Sequence, residues 1–367
     1  MRFRLPLVVG LLGVSLLVAA KLSAQEKSDP QVEFKSPTNL LSPSGELVAW
    51  GWAKHANMLY NREAIPAERL NRVKEWEHYT VMSPQFTVGV TIAQIGALTF
   101  ASVELIDYAE SSRRDATFFG PQSKEQSIFP ANPYGNTELC NKENFCTLKF
   151  EEGRRRIAFN FVKTPKTPAI SGEIELANRE ADESIALARP FSEPGHFFYE
   201  NKIFAMPAKG NVRVEDRSYY LPEGSSFAIF DWGRGIWPRK SEWFWGQAAG
   251  KVGDRSVAIN LGHGYGDDTR GTANAMLVDG KISKLRDVAC DFDPADRMKP
   301  WKFTSDDGRL SLVFTPTYHQ QSKQDILVAA TELHKIHGTY SGQLVVDGKP
   351  IQVDKLLGFA EHMSQRW

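Results

Sequence analysis

Most residues that could do chemistry lie in two stretches of the second half of the chain. "FDWGRGIWPRKSEWFWGQ", residues 230–247, holds four of the nine tryptophans together with two arginines, one lysine, one aspartate and one glutamate. "NLGHGYGDDTRGTAN", residues 260–274, adds four glycines, a histidine, a tyrosine and two aspartates. A core strand does not need these charges and a surface loop does not need these indoles, so both stretches are candidates for a ligand site.

Asp231 is the first candidate acid. If "SSFAIFDWGRG" forms a strand, Asp231 shares a face with Phe227 and Ile229 and continues an apolar row. A carboxylate in that position either pairs with a cation, for which Arg234 and Arg239 are near in sequence, or has a raised pKa and can donate a proton. Both interpretations stay open.

The tryptophans of the first stretch predict an aromatic wall. Trp243 and Trp245 alternate with Phe244 and would lie on one strand face. Such walls pack a core or line a ligand pocket. In the binding hypothesis the lining residues are Trp232, Trp237, Trp243 and Trp245, with Arg234 at the pocket mouth.

The glycine-rich stretch is typical of a loop at the mouth of a barrel, because its four glycines permit unusual backbone angles. As a site loop it would offer His263, Tyr265, Asp267 or Asp268 as proton donors. It does not match the GxGxxG dinucleotide fingerprint or the alternating acidic ladder of an EF-hand.

Several other chemistries lack support. His334 and His337 are three apart in a segment that reads as strand, which places the two rings on opposite faces and disfavours a shared metal. No GxSxG motif is present. We therefore predict neither a metal nor a cofactor. Lys plus Arg equals Asp plus Glu, 44 of each, so no net charge favours nucleic acid as a partner.

The N-terminus has the order of a secretory signal. Arg2 and Arg4 precede an apolar run from Leu5 to Ala20, and small residues follow. We expect residues 1–24 to be a signal peptide and the mature protein to be soluble, periplasmic or secreted, and without a membrane span. An uncleaved anchor is the alternative, although the run is short for a bilayer, which needs about 20 residues.

Export would permit disulfides, and the chain has three cysteines. Cys140 and Cys146 could close a small loop, which would leave Cys290 free. Unpaired, partly buried thiols are an equally supported alternative.

Period-two alternation is the commonest pattern and predicts half-buried strands. It appears in "FTVGVTIAQ" from Phe86, in "RRIAFNFV" around Ile157 and in "RLSLVFTP" from Arg309. Turn signals at Gly153, Asp279-Gly280 and Asp347-Gly348 predict hairpins. Helical spacing is rare. The best case is "PAERLNRVKEWEHY", residues 66–79, and "ADESIALAR", residues 181–189, is weaker.

Many closely spaced strands with few short helices predict an all-β protein of antiparallel sheets, either barrels or sandwiches. A barrel of about eight strands would use half of this length, so two barrels are easier to accommodate than one. The Pro- and Gly-containing segment 192–211 divides the mature chain, and we predict domains at 30–195 and 196–367.

Five ordered blocks resemble a known bacterial family. "GWAKHANMLYNR", "RLNRVKEWEHYTVMSPQF", "FDWGRGIWPRKSEWFWG", "NLGHGYGDDTRGTAN" with "VDGKISKL", and "GFAEHMSQRW" are similar to domain of unknown function 2804, from about Asn39 to Trp367. The family has no established activity, so the resemblance informs the fold more than the function.

A more distant resemblance is to double lipocalin-like proteins, which include carotenoid 1,2-hydratases. "FFYENKIFAMPAKGNVRV", "FDWGRG" and "EWFWG" carry it. It implies two lipocalin-like β-barrels packed side by side, with an apolar pocket. The hydratases have an Asp-His pair before Trp-Gly, whereas here Asp231 directly precedes Trp232, so the acid groups left are Asp231, with Tyr265 and Asp267.

Three functions remain open. The first is binding of an apolar small molecule, lipid-like or terpenoid-like, in a barrel pocket. The second is a cofactor-independent hydratase or isomerase that uses acid catalysis, for which Asp231 and Asp267 must converge on one cavity. The third is carbohydrate binding, which predicts a shallow and exposed face at Trp243 and Trp245.

Overall fold

The computed structural model of this protein describes residues 31–366 except 97, 121–126, 180, 327 and 328. The predicted signal peptide lies outside the described residues. The described part is nearly all β-structure, and the predicted fold class is confirmed.

The first large sheet has 13 strands, all antiparallel, and it includes β2 and β4 to β15. Strands β1 and β3 form a separate two-stranded parallel sheet. The strands up to β15 are, in chain order, β1 (Thr38–Asn39), β2 (Gly51–Ala53), β3 (Met58–Leu59), β4 (Lys74–Met82), β5 (Phe86–Ile95), β6 (Leu98–Asp107), β7 (Ser112–Phe119), β8 (Thr137–Cys140), β9 (Phe145–Glu151), β10 (Arg154–Phe161), β11 (Ile170–Ala177), β12 (Ile185–Pro190), β13 (Phe197–Val214), β14 (Arg217–Leu221) and β15 (Phe227–Ile236).

The second large sheet has nine antiparallel strands. They are β16 (Lys240–Val252), β17 (Arg255–His263), β18 (Ala275–Val278), β19 (Lys281–Lys284), β20 (Val288–Asp291), β21 (Trp301–Ser305), β22 (Leu310–Ile326), β23 (Ala329–Val346) and β24 (Lys349–Arg366). Each sheet curls around an apolar core of its own, and the pair are the two lipocalin-like barrels predicted from the sequence.

The three predicted hairpins are confirmed. Gly153, Gly280 and Gly348 each follow a residue with positive φ and are themselves at φ between 73° and 80°. Two consecutive left-handed residues match the twist of paired strands, which is why Glu-Gly and Asp-Gly pairs stand at these positions. The turns join β9 to β10, β18 to β19 and β23 to β24.

Both predicted helices are wrong. Within 66–79 only Ala67–Arg72 is helical, as a short 3₁₀ helix, and Lys74–Met82 is β4. "ADESIALAR" supplies β12, which pairs with both β13 and β2. Pairing with a neighbour on each side outweighs a weak local helical pattern. A second 3₁₀ helix covers Arg62–Ala64.

The chain passes from the first sheet to the second between Ile236 and Lys240. The predicted domain boundary between residues 195 and 196 therefore falls inside the first sheet, just before β13. Pro194 and Gly195 belong to the tight connection between β12 and β13, so they mark a turn and not a linker.

All three cysteines are free. Cys140 is exposed and Cys146 is buried, because they lie on opposite faces of the β8–β9 hairpin. Among the described residues, no helix has both the length and the apolar character needed to span a bilayer.

Strand β15 contributes one face to the core of the first barrel and the other face to the apolar cluster between the barrels. Its even-numbered residues, such as Phe230 and Trp232, pack in the core of the first barrel. Phe227 and Ile229 face the other way and pack with residues of the second sheet, among them Ala249 and Phe359. The outer faces of the two sheets therefore pack against each other along β15.

Candidate functional site

A cavity of about 540 Å³ lies between the outer faces of the two sheets. It is not the interior of either barrel, because the barrel interiors are filled by their own cores. The walls come from β4 to β7, β12, β13 and β15 of the first sheet and from β16, β17 and β22 to β24 of the second.

One wall is a transverse row of polar side chains, here called the first row. Strand pairing places its members side by side across six strands, and all of them line the cavity. They are Lys202, Asp231, His78, Thr91, Ser102 and Thr117.

The opposite wall, the second row, arises in the same way on the second sheet. Its members are Gly262, Trp245, Glu361, Lys335 and Gln320. The rows face each other closely, since the ammonium of Lys202 lies 3.9 Å from the ring centroid of Trp245. Near the other end, the Gln320 amide donates to Glu104 at 2.9 Å.

The ion-pair partner of Asp231 is Lys202. It is neither Arg234 nor Arg239, the two partners considered from the sequence. Lys202 Nζ lies 2.8 Å from Asp231 Oδ1 and 3.1 Å from Glu200 Oε2, and all three side chains are at least nine-tenths buried. Burial by itself would lower the pKa of Lys202, but the two carboxylates outweigh it and raise that pKa. Lys202 is therefore a fixed cation in the cavity wall.

Glu361 is a carboxyl group with a different environment. Its Oε1 accepts the indole N–H of Trp243 at 3.0 Å, and its Oε2 lies 3.8 Å from Lys335 Nζ. Burial raises the pKa of Glu361, against the lowering influence of Lys335 and Trp243. A buried carboxyl with a raised pKa can hold a proton that a neighbouring ligand could receive.

His78 sits in the first row as a neutral ring. Its two nitrogens lie 2.8 Å from the Thr91 hydroxyl and 2.9 Å from the Thr80 hydroxyl. Burial, with the charges of Lys335 and Lys202, lowers the pKa of His78 well below its ordinary value. His78 therefore adds hydrogen-bonding capacity to the wall but no charge.

Aromatic rings enclose one end of the cavity. Trp76 stacks on Phe198 at 5.6 Å, and Tyr265 lies edge-on to Phe198 at 4.6 Å and to Trp243 at 4.7 Å. Trp237 packs 5.6 Å from Tyr265. Burial raises the pKa of Tyr265 well above its ordinary value, which keeps its hydroxyl protonated.

Six of the nine site residues predicted from the sequence line this cavity. Four are buried or half-buried aromatic residues, one is a carboxylate and one is an exposed histidine. They are Trp237, Trp243, Trp245, Tyr265, Asp231 and His263.

Trp232 and Arg234 do not line the cavity. Both lie on the opposite face of β15 and are fully buried inside the first barrel. Arg234 donates to the carbonyls of Trp76, Gly233 and Pro130 at 2.8–3.1 Å and stacks over Trp232 at 3.9 Å. Alternation along the strand gives the reason, since these residues are an odd number of positions from Asp231.

Asp267 also lies outside the cavity lining, so it does not converge with Asp231 as the acid-catalysis hypothesis required. Its Oδ1 accepts from the Thr269 backbone N–H at 3.0 Å and the Thr269 hydroxyl at 2.6 Å. Arg270 pairs with its other oxygen at 3.6 Å. These contacts stabilise the loop after β17. The structure therefore gives Asp267 a role in holding this loop.

Trp243 and Trp245 are half-buried and form part of the cavity wall. The carbohydrate alternative predicted a shallow, exposed face at these residues. Their indole N–H groups are also used within the protein, by Glu361 and by Asn260 at 2.8 Å.

Sequence analysis missed Glu200, Lys202, Lys335 and Glu361. A signal was present in "FFYENKIF", where Glu200 and Lys202 follow Phe198 at period two on an apolar strand face. Opposite charges two apart on a buried face predict an ion pair inside an interface. Nothing local indicates that Glu361 faces them, because it belongs to the other sheet.

Within the described ranges, no group of three or more His, Cys, Asp or Glu side chains could hold a metal ion.

Comparison with known proteins identifies the family of this chain. Residues 31–367 match the family described as Domain of unknown function (DUF2804). The chain belongs to the DUF2804 family. No curated protein is significantly similar to it.

Solved structures share the fold of this DUF2804 protein. CghA, solved with Sch210972, is 12% identical, with a TM-score of 0.55 over 92% of this chain and 97% of that one. A second CghA structure has a TM-score of 0.50 at 11% identity and covers 90% and 97%. Kievitone hydratase from Nectria haematococca is 10% identical, covers 80% and 88%, and has a TM-score of only 0.43. At identities this low, the two CghA structures establish the double-barrel fold alone.

Proposed function

We propose that this protein binds an apolar small molecule in the cavity between its two barrels. The observation that carries the proposal is the cavity, about 540 Å³ in volume, with aromatic rings at one end and polar side chains along its two walls. Ligand sites typically measure about 300–1,000 Å³ and have this mixture of surfaces. The fold shared with CghA, which was solved with Sch210972, supports a small-molecule ligand.

Most charges of the cavity are paired within its walls, which is compatible with a largely apolar guest. Lys202 is held between Glu200 and Asp231. The aromatic end around Phe198 and Tyr265 offers the apolar surface. Export belongs to the same proposal: the signal-like residues 1–24 would bring the protein to its ligand in the periplasm or outside the cell.

The test is to fill the cavity without changing its charges. Ser102 is half-buried in the first row, and Ser102→Trp would place an indole inside the cavity. We expect the neutral probe N-phenyl-1-naphthylamine to bind the wild type and to bind this variant at least about tenfold more weakly. Fluorescence titration measures this, and mass spectrometry of an organic extract identifies any copurified molecule.

Ser171→Trp is the matched control. Ser171 is also half-buried in a strand of the first sheet, but it does not line the cavity. It should bind the probe as the wild type does. Failure of the wild type to bind the probe, together with an extract free of apolar molecules, would exclude the proposal.

A second candidate is a cofactor-independent hydratase or isomerase. The observation that favours it is Glu361, a cavity carboxyl whose pKa is raised by burial. In a hydration, this carboxyl would give its proton to one alkene carbon, while water adds to the other carbon and releases a proton to a carboxylate. Asp231, on the facing wall, is such a carboxylate.

Solvent labelling separates this candidate from simple binding. The copurified molecule is incubated with protein in D₂O and analysed by mass spectrometry. Catalysis predicts deuterium at carbon with the wild type and at least about a hundredfold less with Glu361→Gln. An unlabelled ligand after incubation with the wild type would leave binding as the function.

A further inference from the structure

Lys335 is a buried ammonium that makes no hydrogen bond within the described part of the chain. Its side chain is 6% exposed, and the nearest carboxylate oxygen, Glu361 Oε2, is 3.8 Å away. The rings of Phe359 and Trp245 lie 4.2 Å and 5.8 Å from the ammonium. Lys202, in the facing row, differs because it contacts two carboxylates at 2.8 Å and 3.1 Å.

Glu361 presents a matching group. Its Oε1 accepts the indole N–H of Trp243. Its Oε2 receives no hydrogen bond from any residue that the structure describes. Three N–H donors and one carboxyl oxygen therefore line the same cavity, 3.8 Å apart and without partners at hydrogen-bonding distance. Buried groups of this kind cost free energy unless a partner satisfies them.

The separation fits one oxygen atom. An oxygen about 2.8 Å from both Lys335 Nζ and Glu361 Oε2 satisfies a 3.8 Å gap with ordinary hydrogen-bond lengths. We propose that Lys335 and Glu361 bind a neutral oxygen of the ligand, a hydroxyl or carbonyl group carried on an apolar ring system. This inference rests on the proposed binding function and specifies the class of ligand.

The local charge excludes a cationic head group, because the ammoniums of Lys202 and Lys335 both lie in the cavity wall. A cationic ligand would leave the N–H donors of Lys335 unsatisfied and facing a like charge. A neutral oxygen accepts from Lys335 and either donates to or accepts from Glu361.

The experiment compares pyrene with 1-hydroxypyrene, which differ by one hydroxyl group. We expect the wild type to bind 1-hydroxypyrene about tenfold more tightly than pyrene, as measured by fluorescence titration. Lys335→Met should reduce this preference to about twofold or less. Lys323→Met is the matched control, because Lys323 is an exposed lysine of β22 that pairs with Glu332 outside this cavity.

A second measurement needs no variant. The carbonyl stretch of 1-pyrenecarboxaldehyde should move to lower wavenumber when the aldehyde binds the wild type, as hydrogen bonding to Lys335 requires. Near-ultraviolet circular dichroism checks that Lys335→Met is folded.

Each outcome of these measurements either supports the inference or overturns it. Equal affinities for the two probes, a preference that survives in folded Lys335→Met, or an unshifted carbonyl would overturn the inference and leave apolar binding intact. Binding of neither probe by the wild type would overturn the proposed function and this inference with it.

Discussion

His337 is a buried histidine on the β23 face that packs toward the first barrel. It is 1% exposed, and the rings around it are Tyr108, Tyr318 and Phe359 at 6.1–6.3 Å. Burial, with a contribution from the charge of Lys335, lowers its pKa to about 3. The unfolded chain takes up this proton at a much higher pH, near 6.5.

This difference predicts a pH-dependent stability. Between pH 6.5 and about 3 the unfolded state binds the proton and the folded state does not, so stability falls as the pH falls. At pH 5 the cost is about 2 kcal/mol. We expect His337→Leu to lose about 2 kcal/mol less than the wild type between pH 7 and pH 5, measured by urea unfolding.

The control for this prediction is His55→Leu, because His55 is exposed to solvent. It should lose stability between the two pH values by the same amount as the wild type. An equal loss in His337→Leu would show that this ring is protonated in the folded protein.

At the scale of elements, β15 shows why a glycine follows "FDW". A Cβ atom at Gly233 would lie 2.1 Å from the ring of Trp76, its partner across the β15–β4 ladder. The missing side chain lets Trp76 lie flat over the strand and stack on Phe198 at the aromatic end of the cavity. Strand β15 thus shapes the site through Gly233, a residue that does not line the cavity.

Gly233→Ala should therefore push the Trp76 ring out of place. We expect a loss of stability of about 1–3 kcal/mol and a several-fold loss of probe affinity. Thermal unfolding and fluorescence titration measure the two effects. The double variant Gly233→Ala/Trp76→Phe, with a smaller ring, should recover much of the stability. If the double variant instead loses the sum of the stabilities lost by the two single variants, a direct clash is contradicted.

At the scale of the whole molecule, the barrels share an apolar cluster and a polar seam. The cluster joins residues of both sheets, such as Ile229 and Phe359. In the seam, Glu183 accepts the Ile282 backbone N–H at 2.7 Å and pairs with Lys54 and Lys281 at 3.3 Å and 3.5 Å. Separating the barrels would expose both, so neither barrel is expected to unfold alone.

The expected result is one cooperative transition in calorimetry, with equal calorimetric and van't Hoff enthalpies. Glu183→Ala should lower stability by about 2 kcal/mol, because it leaves the buried Ile282 N–H without its acceptor. Glu173→Ala, an exposed change on β11, is the control and should have little effect. Two separate transitions in the wild type would show that the barrels fold independently.

The sequence by itself determined the local features of this protein. Period-two alternation places Phe86, Ile157 and Leu310 in strands, and Asp-Gly pairs place hairpins after β18 and β23, because both signals depend only on neighbouring residues. The faces of β15 follow from the same alternation, which is why Asp231 could be recognised as a charge on an apolar row.

Only the tertiary structure decided which surfaces meet. Asp231 pairs with Lys202 from another strand, and Glu361 faces both from the second sheet, although it lies far along the chain. The cavity also lies between the barrels and not within one, since each barrel interior is filled by its own side chains. Such long-range contacts depend on how two curved sheets pack, and no local sequence pattern encodes that arrangement.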